Sequence, residues 1–187
     1  MLRAPFKVLV DANALYPLTL RDTLLRAAEG EFFQLYWSAE ILEEARRNLV
    51  ANAQMTVEQA TQLIQTMTAF FPEAMVTDYE QYVGVMKNDP KDRHVAAAAM
   101  KTGAQVIVTC NIKDFRELPD GIEAQTPDEF LGNLMDLDPE RFVELLRQQA
   151  ADLRKPALPF DGLLLRMQKV APNLVSTIQG LLATSPN

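Results

Sequence analysis

The chain has 187 residues, 48% of them hydrophobic, with a formal net charge of −7, one cysteine and one histidine. That length favours one substantial core, or a core with a small appended unit. A lone Cys110 excludes an intrachain disulfide, a Cys-rich zinc site and a CxxC redox pair, and a lone His94 argues against a histidine-based metal site.

From the N-terminus, Phe6 to Asp11 is a short apolar, β-branched run that reads as a buried parallel strand with an acid at its carboxyl end. Asp11 to Pro17 makes a loop, and Leu20 to Glu29 has helical spacing that Gly30 ends. Phe32 to Trp37 reads as a second strand. Ser38 is placed to cap a helix reaching about Asn52. Another helix spans about Thr56 to Phe70, stopped by Pro72. A short strand at Met75-Val76 and a helical turn after Asp78 follow. Asp89-Pro90-Lys91-Asp92 opens an alanine-rich helix that runs to Lys101 and is closed by Gly103. Gln105 to Thr109 is a further buried strand.

From Thr126 the pattern turns helical. Thr126-Pro127-Asp128-Glu129 and Asp138-Pro139-Glu140 are both helix starts, predicting helices from Pro127 to Met135 and from Pro139 to about Arg154. Lys155 to Pro159 breaks the chain, and two more helical segments fill Asp161 to Ala183. Strands alternating with helices point to a doubly wound parallel sheet. The domains expected are 1–135 for this α/β unit and 136–187 for a C-terminal helical extension.

No apolar run approaches the roughly 20 residues that span a bilayer, and the N-terminus lacks the basic-then-apolar order of a signal peptide. No membrane association and a cytoplasmic location are therefore expected. The negative charge opposes nucleic-acid binding only on average. Residues 1–120 carry twelve Lys and Arg against sixteen Asp and Glu, an excess of four acids. Cations flank the acids of interest: Lys91 and Arg93 beside Asp92, Lys113 and Arg116 beside Asp114, Arg46 and Arg47 after Glu44. Basic residues around an acidic centre suit a phosphodiester, although an exposed loop looks the same.

Four of the acids, Asp11, Glu44, Asp92 and Asp114, fall where an α/β fold delivers side chains to the carboxyl edge of its sheet. Each also has a structural reading. Asp11 can start a turn or cap a helix. Glu44 lies at the edge of the Ile41, Leu42, Ala45, Leu49 stripe and can pair with Asn48 or a basic neighbour, while Glu40 and Glu43 point away. Asp92 can face the helix dipole, with Asp89 as the cap. Thr109 and Asn111 can close a turn, and Asp114 can cap the next element. Asn13 can bond within its own loop, Cys110 reads as a small buried side chain, and His94 as a partly exposed helix residue. If the acids bind a metal, it should be a hard ion such as Mg2+ or Mn2+.

The order Val-Asp11-Ala-Asn13, then Ser38 through Glu44 to Leu49, then Asp89-Pro-Lys-Asp92-Arg-His-Val-Ala-Ala-Ala, then Val-Thr109-Cys-Asn111-Ile-Lys-Asp114-Phe resembles the PIN-domain ribonucleases, and within them the VapC-type toxins of type II toxin-antitoxin pairs. The resemblance covers about residues 5–135. It implies a three-layer α/β fold with a central parallel sheet, and a metal-dependent endoribonuclease in which Asp11, Glu44, Asp92 and Asp114 hold Mg2+ or Mn2+. Asn111 stands where many relatives carry an acid, which makes Asp114 the candidate fourth acid. Asn13, Thr109, Asn111 and Arg93 are then candidates for substrate contact. RNA as substrate, a cognate antitoxin and a homodimer are the implied partners. The competing reading is a catalytically degenerate PIN-like module that binds a partner through its helical extension.

Overall fold

The computed structural model describes residues 6–153 and 157–184. Strand β1 (Lys7–Val10) forms from the first apolar run, and Val8, Leu9 and Val10 are wholly buried, as a central strand covered on both faces must be. One helical turn, α1 (Ala12–Leu15), follows directly, and then α2 (Leu18–Glu29). Strand β2 (Gln34–Ser38) ends on Ser38, whose hydroxyl accepts from Ile41 N at 3.2 Å and so caps α3 (Ala39–Ala51). Helix α4 (Val57–Phe70) opens on a reciprocal capping box between Thr56 and Gln59. Pro72 starts a 3-10 turn into β3 (Met75–Val76), which precedes the short α5 (Glu80–Val83).

Asp89 and Pro90 begin a helix as expected, but its first turn, Pro90–Asp92, is 3-10, and α6 (Arg93–Thr102) proper starts after Asp92. Gly103 ends α6 at φ 67, a left-handed conformation suited to glycine. Strand β4 (Val106–Val108), a 3-10 turn at Ile112–Phe115 and strand β5 (Glu123–Gln125) complete this part. The remaining described chain is helical: α7 (Pro127–Leu137), α8 (Pro139–Asp152), α9 (Phe160–Met167) and α10 (Pro172–Thr184). The expected helix end at Arg154 and the break at Lys155-Pro156 lie outside the described residues. Among the described residues no helix is long and apolar enough to cross a membrane.

All five strands are parallel, in the order β3-β2-β1-β4-β5. The chain winds outward from β1 through β2 to β3, then returns to the other side of β1 for β4 and β5. The reversal places a topological switch point between β1 and β4, where open α/β sheets leave a crevice beyond the strands' carboxyl ends. Register fixes what stands there: Val10 pairs with Val108, so Asp11 and Thr109 leave the sheet side by side. Helix α6 precedes β4 and packs on β1 to β4, so its N-terminus returns to this same edge. Helix α3 follows β2 and starts there.

The expected α/β architecture, a parallel sheet flanked by helices with helices after it, is the one observed. Two elements were not anticipated, α1 and β5. Packing groups the chain into two compact units: 1–16 with 33–125, and 17–32 with 126–187. The first contains the sheet. In the second, α2 packs on α8 and α9, and α7 on α8 and α10.

Candidate metal centre

Asp11 is 3% exposed and its carboxylate is held from three directions. Oδ1 accepts from Ala12 N at 2.7 Å, which makes Asp11 the cap of α1. Oδ2 accepts from the Thr109 hydroxyl at 2.7 Å and from Asn13 Nδ2 at 2.6 Å. Asn13 is itself tied down: its Oδ1 accepts from Cys110 N at 2.7 Å and its Nδ2 lies 3.0 Å from Thr109 Oγ1. The two loops leaving β1 and β4 are thus stitched together around one carboxylate. Burial raises the Asp11 pKa, and Thr109, Ala12, His94 and Asn13 pull against that rise.

Asp92 and Asp114 arrive from the turns before α6 and after β4. Lys91 Nζ lies 2.7 Å from Asp114 Oδ2 and 3.9 Å from Asp92 Oδ2. Asn111 Nδ2 also donates to Asp114 Oδ2. The Lys91 hydrogen bond in particular holds the Asp114 carboxyl below the usual range. Asp92 is pushed up to about 6, first by burial and then by the charge of Asp11; Lys91 opposes the rise and Asp114 adds to it. Asp11 and Asp92 therefore share one field at one sheet edge.

Glu44 projects from the second turn of α3. Burial raises its pKa, His94 lowers it, and Asp11 and Glu40 raise it further. Its near neighbour is His94, with Nε2 at 3.7 Å from Glu44 Oε1, rather than Asn48. His94, read from the sequence as partly exposed, is 7% exposed. The reason is that the helix is buried around its circumference: Val95, Ala96, Ala97, Ala98 and Ala99 have no exposed surface. Glu40, read as pointing away, does keep an exposed side chain, yet Oε2 accepts from Tyr79 OH at 3.2 Å and Oε1 lies 4.0 Å from His94 Nδ1. Cys110, read as buried, is exposed, because its backbone N–H is drawn to Asn13 and the side chain is left at the rim.

The candidate residues thus divide. Asp11, Asn13, Thr109 and Cys110 N form one hydrogen-bonded knot, and Lys91, Asn111 and Asp114 form a second. Asp92 and Glu44 are linked to Asp11 through charge. Arg93 turns Nε to the Asn88 carbonyl at 3.2 Å. Sequence reasoning passed over Glu40 and His94, although the spacing of Glu40 and Glu44 by four residues on one helix, and the uncharged run after His94, were signals for both. Carboxylates that repel one another, with the carboxyls of Asp11, Glu44 and Asp92 all raised, are a donor set suited to a hard divalent cation.

A family model for the VapC50 C-terminal domain matches residues 127–180. A protein of Mycobacterium tuberculosis strain H37Rv named "Putative ribonuclease VapC50" is 43% identical over 67 residues, 34% of this chain and 40% of that protein. The matched stretch thus spans less than half of that relative's length. No solved structure matches. A PIN-domain family model matches residues 7–113, more than half of the chain and the whole span from β1 to the Asn111 turn, and the chain belongs to the PIN-domain family.

Proposed function

We propose that the chain is a divalent-metal-dependent endoribonuclease that hydrolyses RNA phosphodiester bonds, and that it is the toxin of a toxin-antitoxin pair acting in the cytoplasm. The observation that carries this reading is Asp11: a buried carboxylate fixed at the switch point of the sheet, whose charge adds to the rise that burial starts at the carboxyls of Asp92 and Glu44. Asp11, Asp92 and Asp114 would hold Mg2+ or Mn2+, with Glu44 completing the set or orienting the attacking water. A bound ion supplies Lewis acidity at the phosphate and lowers the pKa of that water.

The protein's own contribution is position. Thr109, Asn13 and Ala12 N fix the direction of Asp11, so those two side chains act on the carboxylate rather than on the substrate. Lys91 occupies Asp114 and must yield to a cation there, after which its ammonium is free for a phosphate. Arg93 and Asn111 are the remaining candidates for substrate contact. In this reading residues 1–135 carry the chemistry, residues 136–187 form a helical extension, and a cognate antitoxin and a second copy of the chain are the protein partners. The named relative supports the ribonuclease assignment.

The test is cleavage of RNA with Mg2+ or Mn2+ and with excess EDTA. Cleavage only with metal supports the reading, and cleavage that survives EDTA rules it out. One observation favours a second reading: with Asn111 in place of an acid and Lys91 already seated on Asp114, the chain could be a binding module with a degenerate centre. Such a module would show no rise in melting temperature as Mg2+ is added.

A further inference from the structure

We propose that Glu40, Glu44 and His94 form a second cation position, beside the Asp11 set, that selects a divalent transition-metal ion over Mg2+. Each of the three offers one ligand atom, and these atoms lie within 4.8 Å of one another. Ligands sharing an ion at roughly 2.1 Å sit about 3–3.5 Å apart, so a small side-chain movement closes the set. Glu40, with 54% of its side chain exposed, is free to make it.

The observation that points to a ligand is His94 Nε2. It is buried and has no hydrogen-bond partner. Its other ring nitrogen, Nδ1, lies 3.0 Å from the Lys91 carbonyl oxygen. A carbonyl only accepts, so Nδ1 carries a proton, and a cation that displaces any proton on Nε2 would meet a lone pair aimed at Glu44. The 3.7 Å between them is too long for a hydrogen bond but leaves space for an ion to one side. A ring nitrogen fixed through a backbone carbonyl is the usual support of a metal-bound imidazole. Tyr79 OH performs the matching task for Glu40 at 3.2 Å. Helical spacing puts Glu40 and Glu44 on one face of α3, and α6 brings His94 up from the turn after Asp92.

Ligand chemistry sets the selectivity. An all-oxygen set suits Mg2+, whereas one imidazole among carboxylates raises affinity for Mn2+, Co2+ and Zn2+. The inference rests on the nuclease reading only in that Glu44 would stand between the two positions. This chain contains one histidine, which makes the test direct.

Pulsed EPR of Mn2+ bound to the full chain, freed of any affinity tag, should show nitrogen-14 modulation from a directly bound imidazole. The modulation should persist under a large excess of Mg2+ and vanish in His94→Gln. Should that variant not fold, Glu40→Gln, on the exposed face of α3, should weaken the nitrogen-coupled Mn2+ by about tenfold or more. Bound Mn2+ without nitrogen modulation, or no bound Mn2+ at all, overturns the proposal. Mg2+ that displaces the nitrogen-coupled ion as readily as the rest overturns the selectivity. The nuclease reading fails separately, through RNA cleavage that survives EDTA.

Discussion

The two compact units treat buried polar groups in opposite ways. In the helical unit they are matched. Thr23 and Gln149, both wholly buried, meet at 2.8 Å, and Gln149 Nε2 donates to the Thr19 carbonyl at 3.2 Å. Nearer the surface, Arg26 reaches Asp152 at 2.8 Å and Asp22 at 3.2 Å. Asp128 on α7 accepts from the backbone of Asn173 and Leu174 at the start of α10. At the sheet edge, by contrast, carboxylates converge on one another: burial raises Asp11, burial together with repulsion raises Glu44 and Asp92, and a histidine nitrogen is left without a hydrogen-bond partner. The first arrangement stabilises a fold. The second destabilises one locally, and a positive charge would relieve it, as expected of a region selected for chemistry.

The largest expected effect comes from removing the central charge. Asp11→Asn should lower metal-dependent RNA cleavage by on the order of 10²–10³-fold or more, and Asp92→Asn similarly. Both variants should keep the circular-dichroism spectrum of the native protein. Asn at 11 can still accept from Ala12 N or Thr109, and Asp92 makes no side-chain cap bond that Asn would lose. Cleavage near the native rate in both variants would break the comparison, since the sheet edge would then be only an awkwardly packed corner.

A smaller effect, on stability, should depend on pH. Asp92 has a folded pKa of about 6 against an ordinary value of 3.8, so the folded state holds its proton more tightly. Below about pH 4 the group is protonated in both states and its contribution is fully present. As pH rises through 6 that contribution is lost. The loss is at most about 3 kcal/mol, and nearer 1–2 once solvent at its open side screens the charge. Asp11 and Glu44 are raised too, so they steepen the same slope. In EDTA, Asp92→Asn should therefore melt above the native protein at pH 7 and level with it at pH 4. Adding Mg2+ at pH 7 should raise the native protein's melting temperature and leave the variant's nearly unchanged.

Much of this contrast is written in the sequence, but unevenly. Residues 8–10 of β1 and Val106–Val108 are unbroken apolar runs, and the caps Ser38, Thr56, Asp89 and Thr126 mark their helices. Strand β5 was not legible because Glu123-Ala124-Gln125 has no β-branched residue and is too short for its alternation to signal a strand; its identity comes from pairing with Val106 to Val108. Asp11 was legible because a strand end is a local feature. The partners of Glu44 were not, because periodicity places a side chain on a face without saying which helix crosses it. His94 was misjudged for a related reason: its exposure is set by what surrounds α6 on every side.

The smallest expected effect tests the helical unit. Thr23→Val removes the hydroxyl that meets Gln149 Oε1 and leaves that oxygen buried, with only the amide nitrogen still bonded to Thr19. An unmet buried acceptor costs about 1–3 kcal/mol, measurable as a lower urea midpoint with an unchanged slope. Replacing both partners, Thr23→Val with Gln149→Leu, should recover part of that loss, because no acceptor is then stranded. Neither residue is an acid, so the loss should be the same in EDTA and in Mg2+. A loss seen only without metal would mean that the Thr23–Gln149 pair responds to cation binding as the sheet-edge acids are expected to, and the division between a matched region and a strained one would no longer hold.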